Sequence, residues 1–270
     1  MRVHHLNCGT MRPFGGRLVD GTGSVLRRAE MVCHCLLLET SGGLVLVDTG
    51  FGTSDVDTPR RSLPLSFRLL TNPLLQRAET AVQQIARLGR DPADVRHVVL
   101  THLDVDHAGG LRDFPRAQVH VHGPELRAAT APKAPWRYRR EHWAHGPEWI
   151  SYEERGEPWF GFDAVRGLRG LGDAVLLVPL AGHTAGHAGV AVDTGDRWLL
   201  HAGDAYFHHG ELAAPPHSPP GVRAFQAVVD EDRAERARNT RRLQQLVDGP
   251  GEIDVVCSHD PADLHRHRSS

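Results

Sequence analysis

The stretch Thr101-His102-Leu103-Asp104-Val105-Asp106-His107-Ala108-Gly109-Gly110 constrains this chain more than any other. Two His and two Asp fall within six residues, directly after the apolar run Val98-Val99-Leu100. Such a run reads as a buried strand. A strand that ends in imidazoles and carboxylates collects several metal-ligand types at one point. Gly109 and Gly110 allow a sharp backbone turn behind them. Paired His and carboxylate ligands suit zinc, iron or manganese. The plain alternative for an isolated stretch of this kind is a solvated polar loop.

Other strand ends share the habit. Residues 2–6 read as a first strand and residues 7–23 as a Gly-rich loop. Residues 31–39 and 44–47 read as a hairpin around Gly42-Gly43. The second strand runs into Asp48. Residues 53–71 look irregular, with Pro59 and Pro64. Asn72-Pro73 offers an N-cap and a Pro for the first helical position, and apolar residues at helical spacing follow from Leu74 to Leu88. Residues 118–122 are a further strand. Residues 174–178 lead through Pro179 to His183. Residues 190–192 and 198–200 read as a hairpin delivering Asp204. A helix is expected over 230–247, with acids at its start and Arg later, matching the macrodipole. Residues 253–257 lead to His259. Strands in two batches, each closed by helix, suit two sheets packed face to face with helices outside, in one domain spanning 1–270.

Five strand ends, at Asp48, His102, His183, Asp204 and His259, thus carry a candidate ligand or orienter. At this point the sequence resembles the metallo-β-lactamase superfamily, from Val45 to Asp260. The matching pieces are Leu46-Val47-Asp48-Thr49-Gly50, the Thr101–His107 stretch, Gly182-His183-Thr184-Ala185-Gly186-His187, Gly203-Asp204-Ala205 and Ser258-His259-Asp260. The resemblance implies a four-layer αββα sandwich with a metal site at the sheet edge. It implies that His102 and His183 serve one ion, that Asp106, His107 and His259 serve a second, and that Asp204 bridges them. Asp48 and His187 would orient the bound imidazoles. Two divalent ions are expected as cofactors, zinc first, with iron or manganese as the other options.

One position departs from the pattern. The superfamily's usual motif is His-x-His-x-Asp-His, and the middle His is here Asp104. A carboxylate could still ligate the first ion, and it would favour harder cations. The redox branch of the superfamily carries a carboxylate at this place. Alternatively the shorter side chain does not reach, and the first site is weak. Three functions follow: a dinuclear metallohydrolase, an iron-dependent oxidoreductase, and a non-catalytic metal-binding protein. The hydrolase is the leading expectation. In it a metal-bound hydroxide attacks a lactone, ester or thioester carbonyl, Asp106 orients the nucleophile, and Tyr206 could donate to the oxyanion, against the plainer reading of a packed ring.

Residues 124–172 differ in texture and read as an aromatic-rich insertion, either a lid over the substrate or a satellite core. Four of the five Trp lie there. A pocket built by Trp136, Tyr138 and Trp143, with Arg137 for an anionic group, is the expected substrate site. Net charge is −2 and the 31 basic residues form no dominant stripe, which disfavours nucleic acid. No apolar run approaches membrane length, and no leader is visible, so a cytoplasmic home without a membrane partner is expected. Cys8, Cys33, Cys35 and Cys257 do not form a disulfide framework. The partner expected is a small-molecule substrate, with homodimerisation left open. The unusual count is 19 His, more than packing needs.

Overall fold

The computed structural model describes residues 1–153, 156–249 and 251–268. Among the described residues, twelve strands form two six-stranded sheets. The first takes β1 (Arg2–Met11), β2 (Met31–Thr40), β3 (Gly43–Val47), β4 (Val95–Val99), β5 (Gln118–His122) and β6 (Glu148–Tyr152), in chain order across the sheet. The second takes β7 (Glu157–Trp159), β8 (Phe162–Leu168), β9 (Gly172–Pro179), β10 (Ala188–Asp193), β11 (Trp198–His201) and β12 (Ile253–Val256), in the order β12-β11-β10-β9-β8-β7. Both expected hairpins form: β2 pairs with β3 and β10 with β11, each antiparallel. From β3 to β6 the neighbours are parallel, and so are β11 and β12.

Side-chain alternation builds the layers. Leu36, Leu38, Val45, Val47 and Val99 face Val175, Leu177, Val190, Val192 and Leu199 between the sheets. The alternate residues Leu37, Leu46, Val98 and Val119 point the other way, onto Ala81, Ile85 and Ala129 of the covering helices. On the second sheet Leu176, Val178, Ala191 and Leu200 pack with Leu243 of the helix Arg233–Val247. A sheet covered on both faces needs strands that are apolar throughout, which is why Leu44 to Val47 reads as a continuous run. Each such side chain contributes about 1.5–3 kcal/mol on full burial. The arrangement is the four-layer αββα sandwich.

Several local expectations change. β1 continues to Met11, because Thr10 and Met11 resume pairing with Val32 and Met31 after an irregularity. Residues 53–71 are not irregular: they hold three short helices, Thr53–Asp57, Pro59–Ser62 and Leu65–Thr71. Asn72 does not open a helix but closes the preceding one, in the left-handed conformation that Asn tolerates. The helix after it runs only over Ala81–Arg87. The helix expected over 230–247 begins at Arg233, capped by Asp232. Residues 124–172, expected as an aromatic-rich insertion, carry β6, β7 and β8 at one edge of each sheet.

Candidate metal centre

Cross-sheet backbone bonds bring the strand ends together. Ala188 N–H, at the start of β10, donates to the Thr101 carbonyl beyond β4 at 2.9 Å. His34 N–H in β2 donates to the Ser258 carbonyl beyond β12 at 2.8 Å, and Ser258 N–H donates to Gly203 at 3.1 Å. The loops bearing His102, His183, Asp204 and His259 are thereby laced to one edge. Gly203 sits at φ +56°, and a Cβ there would meet His187 Nε2 at 2.5 Å. Gly186 is equally tight, with Glu125 N 2.0 Å from where a Cβ would lie.

Four imidazoles are pinned by their Nδ1 atoms. His107 Nδ1 lies 2.9 Å from Asp48 Oδ2, and His259 Nδ1 lies 2.8 Å from the Val32 carbonyl. His183 Nδ1 faces Asp230 Oδ1 at 3.3 Å. His102 Nδ1 lies 3.0 Å from Thr101 Oγ1, whose hydrogen goes to Asp48 Oδ2. Each partner is an acceptor, so each Nδ1 carries the hydrogen and each Nε2 presents a lone pair. All four Nε2 atoms turn toward Asp204. His259 and His183 stand 3.2 and 3.4 Å from its Oδ2, His107 3.4 Å from its Oδ1, and His102 3.8 Å from its Oδ2. Donors around a tetrahedral zinc with bonds near 2.1 Å stand about 3.4 Å apart. The donors form two groups, His102 with His183 and Asp204, and Asp106 with His107 and His259.

Two observations test whether these residues fit a cation. His102 Nε2, His107 Nε2 and Asp204 Oδ1 are buried without a hydrogen-bond partner, an arrangement that costs stability unless something else satisfies it. The electrostatics point the same way. Burial opposes a charged His107, yet Asp204, Asp106 and Asp48 hold its pKa well above the ordinary value. Burial likewise opposes an ionised Asp204, but His259 and His107 hold its carboxyl well below the usual range. The cluster demands positive charge, and metal binding meets that demand by displacing protons.

Asp48 and His187 both support the centre. Asp48 sits at φ +54°, rare for a residue with a Cβ. From there its carboxylate accepts from Thr101 N–H, Thr101 Oγ1 and His107 Nδ1. His187 donates from Nδ1 to the Leu180 carbonyl and accepts at Nε2 from Asp204 N–H at 2.9 Å, fixing the Asp204 loop.

The centre lies at the floor of a cavity of about 970 Å³ lined mostly by apolar side chains. Asp104, Asp106, Arg137, His183, Asp204 and His259 reach the floor. Phe67, Leu70, Trp136, Val222, Phe225 and Val228 stand in the walls. Trp136 is therefore placed at the cavity and is 60% exposed. Tyr138 and Trp143 are not: both are buried in the core under the first sheet, and Trp143 packs edge-on to Trp149. The alternation of large rings in this segment serves packing as well as the cavity. Tyr206 is a second correction. It is buried, and its one hydroxyl hydrogen is donated to Asp263 Oδ2 at 2.8 Å. Arg137 is not free for a substrate anion, because it forks onto both oxygens of Asp104, from Nε at 2.7 Å and Nη2 at 2.6 Å. Asp104 in turn stays within 3.5 Å of His102 Nε2 and 3.3 Å of His183 Nε2. Burial alone would raise its pKa, and the guanidinium holds it well below the carboxylate range.

Three supporting residues escaped the sequence reading. Glu125 is buried and ties Leu103 N–H, Thr184 Oγ1 and Gly186 N–H together, clamping two of the loops. Its i+3 neighbours suggest only a helix face. Asp230 turns inward to His183 and Arg236 rather than starting a helix. The acidic run Asp230-Glu231-Asp232 hid this role. Phe207 stacks on His259, with ring centroids 5.1 Å apart, and shields it from water.

Comparison with known proteins agrees with this geometry. The family model described as the metallo-beta-lactamase superfamily matches residues 28–259. A probable metallo-hydrolase of Mycobacterium tuberculosis is 45% identical over 98% of this chain and 82% of that protein. An N-acyl homoserine lactonase from a Bacillus species is 28% identical over 67% of this chain and 68% of that protein. Among solved structures, B. thuringiensis AiiA with N-decanoyl-L-homoserine bound at its active site superposes at a TM-score of 0.73 and 20% identity, over 99% of this chain and 95% of that one. With sandwich, strand-end donors and family model in agreement, the chain belongs to the metallo-β-lactamase superfamily.

Proposed function

We propose that this protein is a metal-dependent hydrolase that opens lactones or related esters and thioesters carrying an apolar acyl chain. One observation carries the reading: four imidazole Nε2 atoms, each fixed by a hydrogen bond at Nδ1, face Asp204 on the floor of a large apolar cavity. His107, His259, Asp106 and Asp204 would hold a divalent ion, zinc by the nitrogen and oxygen character of the donors. Such an ion, when bound, supplies a water acidic enough to be hydroxide near neutral pH.

The chain's own residues do the rest. The cavity walls take the acyl chain, and their volume lies at the upper end of the range for small-molecule pockets. Phe207 keeps the floor dry behind His259. Asp106, facing His259 at 3.6 Å, stands where it can orient a nucleophilic oxygen and accept its proton. The names of relatives, N-acyl homoserine lactonases among them, agree with an acyl substrate of this class. Asp104, the residue that motivated an iron oxidoreductase, is neutralised by Arg137, which removes the reason to prefer a harder ion.

The test is a panel of N-acyl homoserine lactones of graded chain length, with alkyl esters and thioesters beside them, assayed with zinc-loaded protein. Saturable ring opening that favours the longer chains, and that is abolished in His107→Ala, is the expected result. Turnover no greater than that of His107→Ala across the panel would sink it.

A further inference from the structure

We propose that the Arg137 guanidinium occupies the first metal position, so that the protein works with a single divalent ion held by Asp106, His107, His259 and Asp204. This rests on the metal-dependent hydrolase reading and deepens it. His183 provides the decisive atom. Its Nδ1 hydrogen faces Asp230, which leaves one in-plane lone pair, on Nε2. Arg137 Nη2 lies 2.8 Å from that Nε2. A single lone pair can accept a guanidinium hydrogen or bind a cation, but not both.

The guanidinium is not a loose visitor. Its fork on Asp104 is completed by Nη1, which donates to the Val229 carbonyl at 2.8 Å and the His183 carbonyl at 3.2 Å. The side chain is only 11% exposed. Backbone pairing sets the contact up, since Asp104 forms a bridge with Tyr138, the residue beside Arg137. Asp104 and Arg137 therefore act as one unit: the carboxylate stands where the superfamily's usual motif has His, and it recruits a permanent cation to the same spot. Arginine does not deprotonate in proteins, so this charge cannot be titrated away. The second group differs. There no Arg or Lys ion pair reaches Asp106, His107 or His259 among the described residues; His107 Nε2 and the shared Asp204 Oδ1 have no partner, and in the first group the guanidinium, held by Asp104 and His183, leaves only His102 Nε2 without one.

The experiment counts ions. Wild type, Arg137→Met and the double variant Asp104→His/Arg137→Met are saturated with Zn²⁺, desalted and analysed for zinc per chain by mass spectrometry, with circular dichroism as the check on folding. One ion is expected in wild type. Two are expected in Arg137→Met, where His102, His183, Asp104 and Asp204 become available together, and two in the double variant, which decides the matter if the single one unfolds. Two ions in wild type would overturn the proposal, because the guanidinium would then yield to metal. One ion in wild type and in every folded variant would overturn it as well, because Arg137 would not be what fills the site. No ion in wild type would instead bring down the hydrolase reading itself.

Discussion

At the scale of single residues, the centre depends on which ring nitrogen carries a hydrogen. Asp48, Thr101, Asp230 and the Val32 carbonyl settle this for four His. The same logic governs a His far from the centre. With His120 neutral, the Tyr152 hydroxyl, which accepts Arg169 N–H, can donate to His120 Nδ1 at 2.7 Å while His120 Nε2–H donates to His97 Nδ1 at 2.9 Å. That chain needs a neutral His120. Burial, then His97 and Arg169, lower its pKa from 6.5 to about 4. The unfolded chain therefore takes up this proton first. The associated stability is full above pH 6.5, falls as the pH drops toward 4, and changes no further below that. The loss is up to about 3 kcal/mol at 1.36 kcal/mol per unit. Urea unfolding of wild type and His120→Asn between pH 7 and 4 should show a shallower pH slope in the variant; equal slopes would refute the assignment. Residue type alone could nominate His102 or Asp204, because metal chemistry restricts the donors. It could not separate Trp136 from Trp143, or show that the Tyr206 hydroxyl faces Asp263, because a ring's role depends on which face of its element meets solvent.

At the scale of elements, apolar runs ending in polar clusters located the strands well, and the ends of several of them meet in one group of candidate donors. Helix boundaries fared worse. Asn72-Pro73 suits a helix start as well as a helix stop, and only the left-handed backbone at Asn72 decides between them. The cavity wall was also hidden. The helix Pro220–Val229 follows a Pro-rich loop, and it sets Val222, Phe225 and Val228 along the cavity. Phe225 packs edge-on to Phe207, which stacks on His259. Phe225→Ala should therefore raise KM for long-chain lactones several-fold, since about 0.8 kcal/mol goes with each buried methylene, while short-chain substrates change little. Steady-state kinetics across chain lengths checks this. An equal effect at every length would place Phe225 outside the acyl site.

At the scale of the whole molecule, the donors come from both sheets. His102, Asp106 and His107 follow β4 of the first sheet, whereas His183, Asp204 and His259 follow β9, β11 and β12 of the second. An ion bound among them joins the two sheets. Metal at about a thousand times its Kd stabilises a fold by about 4 kcal/mol. For a chain of this size that corresponds to about 10 °C in Tm. Calorimetry before and after chelation, and again after zinc is restored, should show that fall and its recovery; an unchanged Tm would mean the sheets are not linked through the centre. Among the described residues no helix is long and apolar enough to cross a membrane.

The amino-acid sequence alone determined the layered class, the strands whose ends bear candidate metal donors, and the chemical types gathered there, because strand burial and metal ligation both leave short-range patterns. Only the tertiary structure decided what Asp104 does. Its partner Arg137 lies 33 residues away, and no local pattern records that a guanidinium will be folded against a particular carboxylate and a particular imidazole lone pair. That meeting depends on a bridge between two irregular segments and on the packing of the loop behind them, and it decides how many ions the cluster can hold.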